Sequence, residues 1–77
     1  MAFAKTIKQI AKERCSVHAP VECTYTVFTA DNGQKYLQLD SYGSATRKLT
    51  GKVSQALQFN KASAQELRAI IDREFGR

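Results

Sequence analysis

Three segments of the chain alternate hydrophobic and polar residues with the two-residue period of a β-strand. They are residues 21–30 (VECTYTVFTA), 36–42 (YLQLDSY) and 52–59 (KVSQALQF). The first is rich in the β-branched and aromatic residues that favour strands. The pattern predicts three strands, paired in chain order as an antiparallel meander.

The turn between the first two strands decides which residues share a face of the sheet. Asp31-Asn32-Gly33 is the strongest hairpin signal in the chain. A two-residue Asn-Gly loop would place Phe28 beside Leu37, whereas a three-residue loop with a left-handed Gly33 would place Val27 there. The three-residue loop gives one apolar face and one polar face, and we predict it for that reason.

That loop assigns each strand residue to one of two faces. The apolar face holds Val21, Cys23, Tyr25, Val27, Leu37, Leu39, Val53, Leu57 and Phe59. The polar face holds Thr24, Thr26, Phe28, Tyr36, Gln38, Asp40, Tyr42, Lys52, Ser54 and Gln58. We expect helices to cover the apolar face and to leave the polar face open.

Two segments have hydrophobic residues at helical spacing. In residues 2–14 they recur on one side of a helix, with three lysines on the opposite side. In the last segment Asn60 suits an N-cap, Ser63 with Glu66 offers a capping box one turn later, and Gly76 suits the end. The apolar stripe of this second helix is Ala64, Leu67, Ile70, Ile71 and Phe75.

These elements predict an α+β fold of two layers: a helix, a three-stranded antiparallel meander and a C-terminal helix, in one domain over residues 1–77. A chain this short buries only about 60% of the surface that its unfolded form exposes. The core is therefore thin, and we expect a homodimer. The longest apolar run is too short to span a membrane and the N-terminus lacks the apolar core of a secretion signal, so we expect a cytoplasmic protein.

The polar face carries aromatic rings, amides and hydroxyl groups together. Phe28 and Tyr36 become near neighbours across the hairpin, and Tyr42 lies further along the same strand. Such a face suits the stacking of unpaired bases. Two other interpretations remain open on the face alone: an ordinary cross-strand pair that stabilises the hairpin, or a dimer interface.

Positive charge is concentrated next to this face. The chain has a net charge of +5, and no acidic residue lies between Asp40 and Glu66. The basic loop, residues 43–51, is longer than a turn requires and combines Gly, Ser and Thr with Arg47 and Lys48. We predict that it clamps phosphates. The predicted nucleic-acid-binding residues are Phe28, Tyr36, Gln38, Tyr42, Arg47, Lys48, Lys52 and Ser54.

Catalytic and metal chemistry find little support in the sequence. A zinc site could be built from Cys15, His18 and Cys23, but it has three ligands and no second pair at finger-like spacing. The single histidine, the lack of a spaced carboxylate pair and the lack of a nucleophile motif argue against an enzyme. We expect no catalytic residues, no metal and no cofactor. We expect Asp40 to be a solvated or salt-bridged strand residue.

The block YLQLDSYGS…RKLTGKVSQALQF resembles a group of small bacterial proteins with the pattern YLQLDxYGS, a basic loop, GKxSQxIQF and a final helix. More distantly, residues 34–75 are similar in layout to the single-stranded-DNA-binding transcriptional coactivators of the positive cofactor four type. That resemblance implies a homodimer whose sheet and basic loops contact single-stranded DNA. The counterparts that it implies here are Tyr36, Gln38, Arg47, Lys48 and Lys52.

Two other functions remain alternatives. The order helix, three antiparallel strands, helix is also that of double-stranded-RNA-binding domains, although Lys61 alone stands where those domains place a lysine cluster. A protein-binding adaptor or inhibitor could use the Phe28, Tyr36 and Tyr42 face as a hot spot.

Overall fold

The computed structural model describes residues 1–43 and 53–76. Within these ranges the chain forms a four-stranded mixed sheet and one α-helix. The elements are β1 (Ala2–Ala4), β2 (Cys23–Thr29), β3 (Lys35–Ser41), β4 (Gln55–Phe59) and α1 (Lys61–Phe75). The strand order is β1-β4-β3-β2. β2 pairs with β3, and β3 with β4, in the antiparallel sense, whereas β1 pairs with β4 in the parallel sense. An α+β fold is thus correct, but the three-stranded antiparallel sheet is wrong because β1 adds a fourth strand in the parallel sense.

The β2–β3 hairpin has the predicted three-residue loop. Ala30 and Gly33 close it, since the Ala30 N–H donates to the Gln34 carbonyl and the Gly33 N–H to the Ala30 carbonyl, both at 2.9 Å. Gly33 has a φ of 82°, the left-handed conformation that glycine adopts without steric cost. Val27 therefore pairs with Leu37, and Phe28 pairs with Tyr36. The predicted division into two faces is confirmed for this hairpin.

The helix predicted over residues 2–14 is wrong. Ala2–Ala4 form β1 instead, and residues 5–22 contain no helix. An isolated helix of this length is marginal in water unless its apolar side is buried. Pairing with β4 satisfies backbone groups of Ala2–Ala4 and brings Phe3 to the sheet, whereas Ile10, which shared the predicted stripe, stays 69% exposed. The three lysines of the predicted helix lie in an exposed non-helical segment.

The C-terminal helix begins and ends at the predicted caps. Asn60 is the N-cap: its side chain accepts from the Ser63 N–H at 2.9 Å, and the Ser63 hydroxyl accepts from the Asn60 N–H at 3.1 Å. The capping box therefore joins Asn60 to Ser63, and the predicted Ser63–Glu66 box is wrong. The Glu66 carboxylate accepts from the Ile7 N–H at 3.3 Å instead, which ties the N-terminal segment to α1. In the described part of the chain, no helix is long and apolar enough to cross a membrane.

Only part of the apolar face is covered. Phe59, one residue before the N-cap of α1, is 3% exposed, and its partner Leu37 is half-buried. α1 contacts β3 and β4, but with one helix instead of two the remainder of this face stays open. The exposed residues of the face are Val21, Cys23, Tyr25, Val27, Leu39, Val53 and Leu57. The expectation that helices cover the whole face is wrong for these positions.

Candidate nucleic-acid interface

An aromatic pair occupies the hairpin end of the polar face. Phe28 and Tyr36 face each other in the β2–β3 register, and their rings stack with centroids 5.7 Å apart and planes inclined by 22°. The Asn32 side-chain amide donates to the Tyr36 hydroxyl at 3.0 Å, and that hydroxyl donates to the Gln34 side-chain carbonyl at 3.5 Å. The hairpin loop thus holds the Tyr36 ring in place, while both rings remain half-buried and partly accessible.

Phe3 joins this pair, although the sequence pattern did not predict it there. β1 sets Phe3 opposite Gln58, on the polar face, and its ring meets that of Tyr36 edge-on with centroids 6.0 Å apart and an angle of 72°. A strand of three residues has too few positions to show a period, so its sequence carries no reliable signal of a strand. Phe3, Phe28 and Tyr36 form the aromatic cluster of the polar face.

A row of polar side chains runs beside the aromatic cluster. The Gln58 amide donates to the Gln38 side-chain carbonyl at 2.9 Å, and the Gln38 amide donates to the Asp40 carboxylate at 2.9 Å. Gln38 and Gln58 are cross-strand partners, and Asp40 is two positions further along β3. The expectation of a solvated Asp40 is wrong, because this residue is only 9% exposed and its carboxylate accepts a hydrogen bond from the Gln38 amide. The alternative, a salt bridge to a cation of the loop or to Lys52, concerns residues outside the described ones. We call Gln58, Gln38 and Asp40 the amide row.

Tyr42 and Ser54 lie at the opposite end of the polar face from the hairpin. Tyr42 follows β3 directly, and its hydroxyl forms a hydrogen bond with the Thr24 hydroxyl at 2.9 Å. Ser54 precedes β4, and its N–H donates to the Ser41 carbonyl at 2.7 Å, which extends the β3–β4 pairing by one bond. The structure thus places Phe28, Tyr36, Gln38 and Tyr42 on one face, with Ser54 at the end of that face.

The three predicted phosphate-binding residues, Arg47, Lys48 and Lys52, lie outside the described residues. All seven acidic residues lie within the described ranges, together with eight of the twelve basic ones. The described part of the chain is therefore nearly neutral. The positive excess belongs to Arg47, Lys48, Lys52 and Arg77.

The residues considered for zinc binding do not come together. Among the described residues, no three His, Cys, Asp or Glu side chains are close enough to hold a metal ion, and Cys15 and Cys23 are free and exposed. The polar side chains of the amide row, including the Asp40 carboxylate, form hydrogen bonds with one another.

No family model, curated protein or solved structure matches this chain. The case for a function therefore depends on the residues of the polar face and on the charge of the chain.

Proposed function

We propose that this protein binds single-stranded nucleic acid, without catalysis, on the polar face of its sheet. The observation that carries the proposal is the aromatic cluster of Phe3, Phe28 and Tyr36, which stays partly accessible on a sheet face next to a row of amides. Proteins that bind single strands use such a surface to stack bases and use neighbouring cations to hold phosphates.

Stacking would supply the part of the affinity that does not depend on salt. Each base stacked on an aromatic side chain contributes roughly 1–3 kcal/mol and needs no particular base, because every base has a π-face. The anchored Tyr36 ring suits this role because its hydrogen bonds to Asn32 and Gln34 limit its movement before a base arrives. We expect binding that tolerates most sequences.

The basic loop and Lys52 would supply the salt-dependent part. Arg47, Lys48 and Lys52 carry three of the chain's five net positive charges, because the described residues are nearly neutral. The loop follows Tyr42 and precedes Ser54, and both of these lie at the end of the polar face. A single-stranded nucleic acid bound on this face could bring its phosphates to the end at which the loop begins.

We propose that the protein acts in the cytoplasm as a homodimer.

One alternative function keeps a structural argument and one loses it. An adaptor or inhibitor could bury the aromatic cluster in a protein partner, since aromatic residues dominate protein hot spots. The double-stranded-RNA alternative depended on a helix before the first strand of the hairpin, and residues 1–22 contain no helix. Single-strand binding is the function that the combined aromatic and basic features favour.

Fluorescence anisotropy with four labelled oligonucleotides tests the proposal: single- and double-stranded DNA, and single- and double-stranded RNA. Between about 50 and 200 mM salt, three phosphate contacts on a single strand should weaken binding by about 20-fold. Tight binding to single strands with this dependence is the expected result. Preference for duplex RNA would overturn the single-strand proposal, and no binding to any of the four at low salt would leave the protein-partner alternative.

A further inference from the structure

We propose that the exposed apolar face of the sheet is the surface on which a second copy of this chain docks. The face is continuous across the strands, because Tyr25, Leu39, Leu57 and Ala2 form one cross-strand row. Tyr25 is 71% exposed, and the neighbouring Val27 is also exposed. These residues lie on the side of the sheet opposite the aromatic cluster, so the inference holds whether or not nucleic acid binds.

Large hydrophobic side chains of this face are exposed in the isolated chain. Val27 is 50% exposed, Leu57 39% and Leu39 37%, and all three lie on neighbouring strands. Contiguous exposed apolar side chains of this kind mark interaction surfaces. Burying them against a partner removes their hydrophobic area from water and stabilises the complex by about 25 cal/mol per Å².

The composition of the face favours a second copy over a charged partner. Its members on the four strands are uncharged except for Lys35, which stands at the hairpin end of β3. A twofold contact places the same patch on both sides, so an apolar patch matches itself without needing opposite charges. Nucleic acid would find almost no cation there. Two sheets that pack through such faces lie about 10 Å apart, and both polar faces then point outward.

Sedimentation of a charge-insertion pair tests the interface. Wild-type protein at tens of micromolar should sediment at twice the monomer mass of 8.6 kDa, and Tyr25→Lys/Val27→Lys should sediment as the monomer. The control Thr24→Lys/Thr26→Lys places the same two charges on the same strand but on the polar face, and it should remain a dimer. Circular dichroism verifies that each variant is folded. A monomeric wild type, or equal loss of the dimer in both variants, would overturn the proposal.

A second measurement needs no substitution. In wild-type protein mixed from isotope-labelled and unlabelled chains, nuclear Overhauser effects between protomers should connect the methyl groups of Val27, Leu39 and Leu57. Inter-protomer effects from Phe28 and Tyr36 would assign the interface to the polar face instead. Effects confined to the β2 backbone would indicate pairing of two β2 edges, and either result would overturn the proposal. The folded monomeric variant is also titrated with a single-stranded oligonucleotide. Because its substitutions lie on the apolar face, retained binding would show that the dimer interface and the nucleic-acid site are separate surfaces.

Discussion

Phe28 and Tyr36 stand directly opposite each other on β2 and β3, and their rings stack at 5.7 Å with Phe3 closing the cluster edge-on. We propose two roles for this pair, stabilising the hairpin and stacking a base, and substitutions can separate them. A cross-strand aromatic pair stabilises a hairpin by roughly 0.2–1 kcal/mol, whereas a stacked base adds free energy only when a ligand is bound.

Removing either ring should weaken binding without changing its salt dependence. Phe28→Ala and Tyr36→Ala should each lower single-strand affinity by about 5- to 150-fold, because the variant stacks one base fewer and stacking releases few counterions. Tyr36→Phe keeps the ring but loses the hydrogen bonds to Asn32 and Gln34, so its affinity should lie between those of the wild type and Tyr36→Ala. Phe75→Ala removes an aromatic ring that is 85% exposed on α1 and serves as the matched control. Anisotropy titrations that find the same weakening for Phe75→Ala would contradict the assignment of the site.

Removing the cations of the basic loop together with Lys52 should change the salt dependence. Arg47→Ala/Lys48→Ala/Lys52→Ala should flatten the plot of log affinity against log salt by about 0.7 for each phosphate that the variant no longer neutralises. The variant Lys5→Ala/Lys8→Ala/Lys12→Ala lowers the net charge by the same amount and should keep most of the wild-type slope. Equal flattening in both would mean that the net charge of the chain, and not the position of the loop, controls binding.

Asp40 should stabilise the fold through the amide row. Asp40→Ala removes the acceptor of the Gln38 amide and should lower the free energy of unfolding by about 1–3 kcal/mol. Asp40→Asn retains a carbonyl oxygen and should recover most of that stability. Urea denaturation measures both variants. If Asn is as destabilising as Ala, the carboxylate charge matters more than the hydrogen bond.

The N-cap of α1 offers a test that is independent of any ligand. Asn60→Ala removes the acceptor of the Ser63 N–H and should lower stability by about 1 kcal/mol. Asn60→Asp keeps an acceptor, and its negative charge lies at the positive end of the helix dipole. The first turn of α1 contains no acidic residue that would repel the new carboxylate, so this variant should retain the wild-type stability. Thermal unfolding that does not distinguish Asn60→Ala from the wild type would show that the capping box contributes nothing.

Gly33 tests the hairpin loop. Apart from Gly33 and its two chain neighbours, no described atom lies within 4 Å of a Cβ built at this position, so the cost of Gly33→Ala comes from its φ of 82°. We expect the free energy of unfolding to fall by about 1 kcal/mol or slightly more. Gly33→Asn should be less destabilising, because asparagine tolerates the left-handed conformation. Urea denaturation that finds Ala and Asn equal would contradict this account.

The sequence predicted what short-range chemistry determines. The left-handed Gly33, the Asn60 cap and the register of Phe28 with Tyr36 follow from turn residues, capping residues and strand alternation. The error at residues 2–14 arose because helical spacing of hydrophobic residues does not reveal the competing edge of β4, which lies more than fifty residues away in the chain. The same long-range pairing brings Phe3 to the aromatic cluster. Local patterns contain no information on that pairing.

The amide row also has a fixed direction. An ionised carboxylate can only accept hydrogen bonds, so Asp40 requires the Gln38 side chain to present its nitrogen, and the Gln38 oxygen is thereby turned towards Gln58. A glutamine side chain can otherwise exchange the positions of its nitrogen and oxygen by a half-turn of its amide. Here a single acidic group selects one of the two orientations for both glutamines in succession. The polar face therefore presents one arrangement of donors and acceptors, set before any ligand arrives.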